Sequence, residues 1–91
     1  MAIYSAVWRD DSGIRPREVI GPVGSLTECA NWLGAQPRVS GPNGPATSKV
    51  LYRDGREVGI WEELRAAGLT ALVRLDPFGR EVFAGVASAD V

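Results

Sequence analysis

Hydrophobic positions along this chain switch between a two-residue period and a helical one, and the switches mark the elements. From Ala2 to Arg9 the residues are β-branched and aromatic, with Ile3 and Val7 on one parity and Tyr4 and Trp8 on the other. Apolar side chains on both parities predict a strand buried on both faces. Asp10, Asp11, Ser12 and Gly13 form a turn cluster, since Asp and Ser bond back to nearby backbone and Gly accepts positive φ. A second strand is expected from about Ile14 to Ile20. Pro16 lacks a ladder donor, which sends that strand to a sheet edge or gives it a bulge.

The period then changes. Ser25-Leu26-Thr27-Glu28 is a capping box, in which the Ser25 hydroxyl can accept from the Glu28 amide. Leu26, Cys29, Ala30 and Leu33 follow at i, i+3, i+4 and i+7 and form one apolar stripe, with Trp32 off its flank. Gly34 and Pro37 bracket the end of this helix. The stretch from Pro37 to Ser48 is rich in Pro, Gly and Ser and is expected to be a loop.

Asp54-Gly55 suits a two-residue type I′ turn, so Lys49 to Trp61 predicts a hairpin pairing Arg53 with Arg56, Tyr52 with Glu57 and Leu51 with Val58. Facing arginines are a local conflict in that register. Trp61 to Gly68 predicts a short helix with acids in its first turn and Gly68 as its left-handed cap. Leu69 to Ala87 predicts a last hairpin turning at Asp76-Pro77-Phe78-Gly79, with Leu75 opposite Arg80, Arg74 opposite Glu81, Val73 opposite Val82 and Leu72 opposite Phe83. Residues 88–91 are expected to fray. The order ββα, ββα, ββ predicts a single α+β domain over residues 1–91. It would hold an antiparallel sheet of about six strands with two short helices packed on one face.

The segment Tyr52-Arg53-Asp54-Gly55-Arg56-Glu57-Val58-Gly59-Ile60-Trp61 resembles a single MORN-type hairpin repeat, whose pattern places Tyr, Asn/Asp-Gly, Gly and Trp similarly. The resemblance covers these ten residues, and MORN proteins carry several tandem copies where this chain has one. It implies a hairpin here and carries no function with it.

Composition narrows the function classes. The chain has 91 residues, 45% hydrophobic and 23% charged, which suits one globular domain rather than a disordered segment. Net charge is −1 and Lys49 is the lone lysine among ten basic residues. No strong field therefore steers the chain toward nucleic acid or anionic lipid. The arginine bias, with abundant Ala, Gly and Val, points to a GC-rich bacterial or phage genome. No run approaches the ~18 apolar residues of a membrane span, and the first residues lack a secretory pattern. A soluble cytoplasmic protein is expected.

The sequence holds no histidine and a single cysteine, Cys29. That removes Ser-His-Asp and Cys-His nucleophile activation, multi-cysteine metal sites and the commonest general base. Cys29 lies in the apolar stripe and is expected to be a buried structural residue. Asp10/Asp11 and Glu62/Glu63 are adjacent carboxylates, which turn solvation and helix N-terminal charge preference explain. The expectation is a non-enzyme without cofactor or metal.

Trp8 and Trp61 are assigned to the core, whereas Trp32, Arg53, Arg56 and Phe78 are the candidate partner-binding residues, because tryptophan and arginine dominate binding hot spots. The leading expectation is a protein-binding module, such as an inhibitor, adaptor or antitoxin-like regulator. Homodimerisation fits too, given the apolar residues on both faces of the first strand. Nucleic-acid binding through arginines and aromatics on a sheet face ranks second, since acids accompany most arginines. A small-molecule binder, or a cofactorless carboxylate enzyme with a perturbed acid in a pocket, ranks third.

Overall fold

Ala6 and Trp8 face inward from the first strand, and the rest of the main sheet follows from their register. The computed structural model describes residues 1–41 and 44–87. Strand β1 (Tyr4–Asp10) pairs antiparallel with β2 (Glu18–Val23) on one side and on the other with β5 (Thr47–Arg53). β5 pairs in turn with β6 (Arg56–Val58), giving a four-stranded sheet in the order β2-β1-β5-β6. Cross-strand partners share a face. Ala6 opposes Ile20 and Leu51, Leu51 opposes Val58, and Tyr4 opposes Val23. These are the residues that enter the core or pack against it.

The expected two-sided burial of β1 does not occur. Ile3, just before the strand, is exposed and Val7 is half-buried, while the β1 residues in or against the core cluster come from the other parity. The reason is economy of material, since the core cluster gathers both helices and the last hairpin on the inner face and draws nothing from the outer parity of β1 and β5.

The second strand also starts later than expected, at Glu18 rather than Ile14. The Asp10 carboxylate collects the Ser12 amide and hydroxyl and the Arg15 amide, which holds residues 11–15 in a turn. Pro16 lies beyond that turn, and β2 then occupies the sheet edge, where Pro22 costs no ladder bond.

Helix α1 spans Leu26–Ala35, and its Ser25 cap accepts from the Glu28 amide at 3.1 Å. The stripe of Leu26, Cys29, Ala30 and Leu33 is buried as its spacing requires. After the helix, the loop expected from Pro37 to Ser48 contains a two-residue ladder between β3 (Ser40–Gly41) and β4 (Gly44–Pro45). The Trp8 indole donates to the Pro37 carbonyl at 2.8 Å, so the loop's start is tied to the buried end of β1.

Asp54 (φ +52°) and Gly55 (φ +82°) both take positive φ, as a type I′ turn demands, and the β5–β6 register is the expected one. The conflict between facing arginines is relieved by Glu63, whose carboxylate lies 3.2 Å from the Arg53 guanidinium. Glu63 belongs to α2 (Ile60–Ala66), which ends in a Schellman motif: the Leu69 amide donates to the Leu64 carbonyl and the Gly68 amide to that of Arg65.

The last two strands, β7 (Ala71–Leu75) and β8 (Glu81–Val86), form a separate two-stranded sheet. Their register corrects the expected one by a residue: Leu75 opposes Glu81, Arg74 opposes Val82 and Val73 opposes Phe83. Turn chemistry decides this. The Asp76 amide donates to the Arg80 carbonyl, and its side chain accepts from the Phe78 and Arg80 amides. The loop is therefore three residues long, with Gly79 at φ +77°. A bulge beyond Phe83 then shifts the register so that Val86 opposes Ala71. Phe83 and Val86 both reach the core, a spacing that plain alternation would forbid.

The result is an α+β fold with antiparallel sheets and two helices, in which α1 contacts both the main sheet and β8. Gly34 is what lets it do so: a Cβ there would overlap the backbone of Ala84 and Gly85. Among the described residues no helix is long and apolar enough to cross a membrane, and residues 88–91, expected to fray, lie outside them.

Candidate functional site

The four candidate partner-binding residues sit on three elements. Trp32 projects from α1 but is half-buried and packs against the core, its carbonyl accepting from the Gln36 side chain. Arg53 and Arg56 flank the β5–β6 turn, and Arg53 is already ion-paired with Glu63. Phe78 stands at the tip of the β7–β8 hairpin, 50% exposed, with the Arg80 guanidinium 5.1 Å from its ring centre. The structure does not gather them into one patch.

The tryptophans divide differently from expectation. Trp8 is buried, as expected, but Trp61 is 43% exposed on the first turn of α2, with its ring edge-on to Phe83 at 5.7 Å. A helix this short buries one residue, Leu64, and Trp61 lies off that position. It borders a shallow groove with Leu64, Leu69 and Ala71.

Ala71 begins the feature that sequence reasoning missed. Strand β7 is half to two-thirds exposed along most of its length, with Leu72 at 46%, Val73 at 45% and Leu75 at 67%. Among the described residues its sheet partner is β8, which leaves one backbone edge without a ladder. The opposite edge, that of β8, is covered by α1, where Asn31 Oδ1 accepts from the Val86 amide at 2.9 Å. An apolar, open edge strand is what most soluble proteins avoid. The signal was present in the sequence: Leu72, Val73 and Leu75 occupy both parities, as the apolar residues of β1 do.

At the other end of β7 lies a cleft of about 250 Å3, lined by Arg38, Arg74, Leu75, Asp76, Pro77 and Val82. Lys49 belongs to the same neighbourhood. It opposes Trp8 on the inner face of the sheet, and its amine is pushed down to about 8, first by burial and then by the charges of Arg74 and Arg38. Among the described residues neither Lys49 Nζ nor Arg38 Nε has a hydrogen-bond partner, although both are sealed from solvent.

Cys29 is fully buried, and burial, reinforced by the Glu28 charge, pushes its thiol up and away from thiolate character. Asp10 is held below the ordinary carboxylate range, chiefly by hydrogen bonds from the Ser12 hydroxyl and amide, so it serves the turn as an acceptor. A cavity of about 320 Å3 beside it is walled by Trp8, Ile14, Val39 and Thr47. Among the described residues no three His, Cys, Asp or Glu side chains cluster as metal ligands would. No known protein family matches the sequence, and no significant similarity to a curated protein or a solved structure is found.

Proposed function

We propose that this chain is a non-enzymatic protein-binding module that acts in the cytoplasm by adding an extended segment of a partner protein to the open edge of β7. The observation that carries this reading is the exposure of Leu72, Val73 and Leu75 on a strand that, among the described residues, is paired along one side. Strand addition supplies main-chain hydrogen bonds along the edge, while alternate side chains of the guest meet apolar surface. Five residues of β7 present an edge of roughly 17 Å, enough for a short guest strand. The groove beside Trp61 continues that surface from Ala71, and an aromatic bordering a groove is a common binding anchor.

Support also comes from the chemistry of the remaining residues. With no histidine in the sequence and the thiol buried, the residues best placed to meet another molecule are apolar and aromatic. An inhibitor, adaptor or antitoxin-like regulator works through such a surface. A second copy of the chain could occupy the edge when the partner is absent, as isologous strand pairing permits.

The test is a pull-down from native lysate with nuclease present, run in parallel with Leu72→Lys and Val73→Lys variants whose circular dichroism matches that of the parent. A partner captured by the parent and lost by both variants is the expected result. Equal capture by parent and variants would mean that β7 is not the docking edge.

A further inference from the structure

We propose that the cleft between Arg38 on the loop after α1 and Arg74 on β7 is a binding site for a phosphate-type dianion. The proposal goes beyond the strand-addition reading and stands without it. Three cations, Arg38, Lys49 and Arg74, come together from three separate elements, and among the described residues Asp76 is the carboxylate that lines the cleft. No basic run in the sequence brings them together; the fold does. Such a gathering is costly by itself, because like charges repel and a buried cationic N–H without an acceptor forfeits its hydration.

Two of those donors, Lys49 Nζ and Arg38 Nε, lack an acceptor among the described residues. An oxyanion in the cleft would supply the charge, and guanidinium forks match its oxygens in pairs. Leu75, Pro77 and Val82 make the walls partly apolar, which lowers the local dielectric and strengthens the attraction. Lys49, whose Nζ is sealed from solvent beside the cleft, contributes its field through that medium. Among the described residues, the local excess of three cations over one carboxylate suits a dianion better than a monoanion. About 250 Å3 is small beside the ~300–1,000 Å3 of typical organic-ligand pockets, so the fit is to inorganic phosphate or a phosphoryl group at a ligand's tip.

The experiment titrates the full chain with inorganic phosphate at constant ionic strength, with chloride as the control, and reads both calorimetric heat and the thermal midpoint. Saturable heat and a midpoint rise of several degrees at tenfold excess over Kd are expected. Arg74→Gln, at an exposed position, is expected to weaken phosphate at least tenfold without changing the fold. Lys49→Met is expected to raise the midpoint in the absence of phosphate and to blunt the phosphate response, whereas a purely structural lysine would leave a less stable protein. Leu72→Lys, which tests the docking edge, should keep the full phosphate response. A parent response no larger than that to chloride, or equal responses from the parent and both cleft variants, would overturn the proposal.

Discussion

Single side chains in this protein show how much one donor or acceptor decides. Ser25 satisfies the Glu28 amide at the start of α1, and the helix that follows supplies the buried face joining the main sheet to β8. Ser25→Ala should therefore lower stability by about 1 kcal/mol, read as a fall in the urea midpoint at constant m. Lys49 makes the opposite case. Its amine titrates near 8 in the folded chain against 10.5 for an unperturbed lysine. Below pH 8 both states are protonated and the full penalty for the charged group is present. Between about 8 and 10.5 the unfolded chain binds the proton that the folded chain has released, so this group's contribution to stability rises with pH. Comparing denaturation of the parent and of Lys49→Met across that window isolates the effect. A difference that stays flat with pH would show that Lys49 titrates normally.

Elements that rest on local chemistry were readable from the sequence, and those that depend on distant packing were not. The Ser25 cap on the Glu28 amide, the α1 stripe and the Asp54-Gly55 turn each follow from residues within one or two turns of each other, and all three appear as expected. The β7–β8 register departs from expectation because a matched Arg74–Glu81 pair counts for less than the Asp76 turn, whose hydrogen bonds impose a three-residue loop. The open edge of β7 was missed for another reason: both parities of an apolar strand read alike whether they are buried or bare. Lys49 stands out in the sequence only as the lone lysine, since no spacing rule brings residues 38, 49 and 74 together. Gly34 likewise gave no sign of its role beyond ending a helix. Gly34→Ala should cost at least the ~1–3 kcal/mol of an overpacked core, because the obstacle is backbone. Gly24→Ala, where a Cβ would meet nothing nearer than the Met1 sulfur at 3.7 Å, is the control and should move the urea midpoint little.

Beside the small β3–β4 ladder, the four-stranded sheet and the β7–β8 sheet share a helix. The molecule's Cα radius of gyration, 13.2 Å, exceeds the roughly 12 Å expected for a compact domain of this length, which fits a hairpin set beside the main sheet instead of within it. Among the described residues these two sheets share no ladder. What joins them is α1, through Gly34, the Asn31–Val86 hydrogen bond and the side chains of Phe83 and Val86 in the core. Side-chain contact can be given up without tearing a row of main-chain bonds, so β7 and β8 have a route to open that leaves β1 and β5 intact. Native-state hydrogen exchange should find two cooperative units, with the β7–β8 amides released at lower denaturant than those of β1 and β5. A single unit would mean that α1 welds the halves together. With two, the surface offered to a guest strand belongs to the part of the protein that breathes, and a bound guest would slow its exchange while leaving the main sheet's rate unchanged.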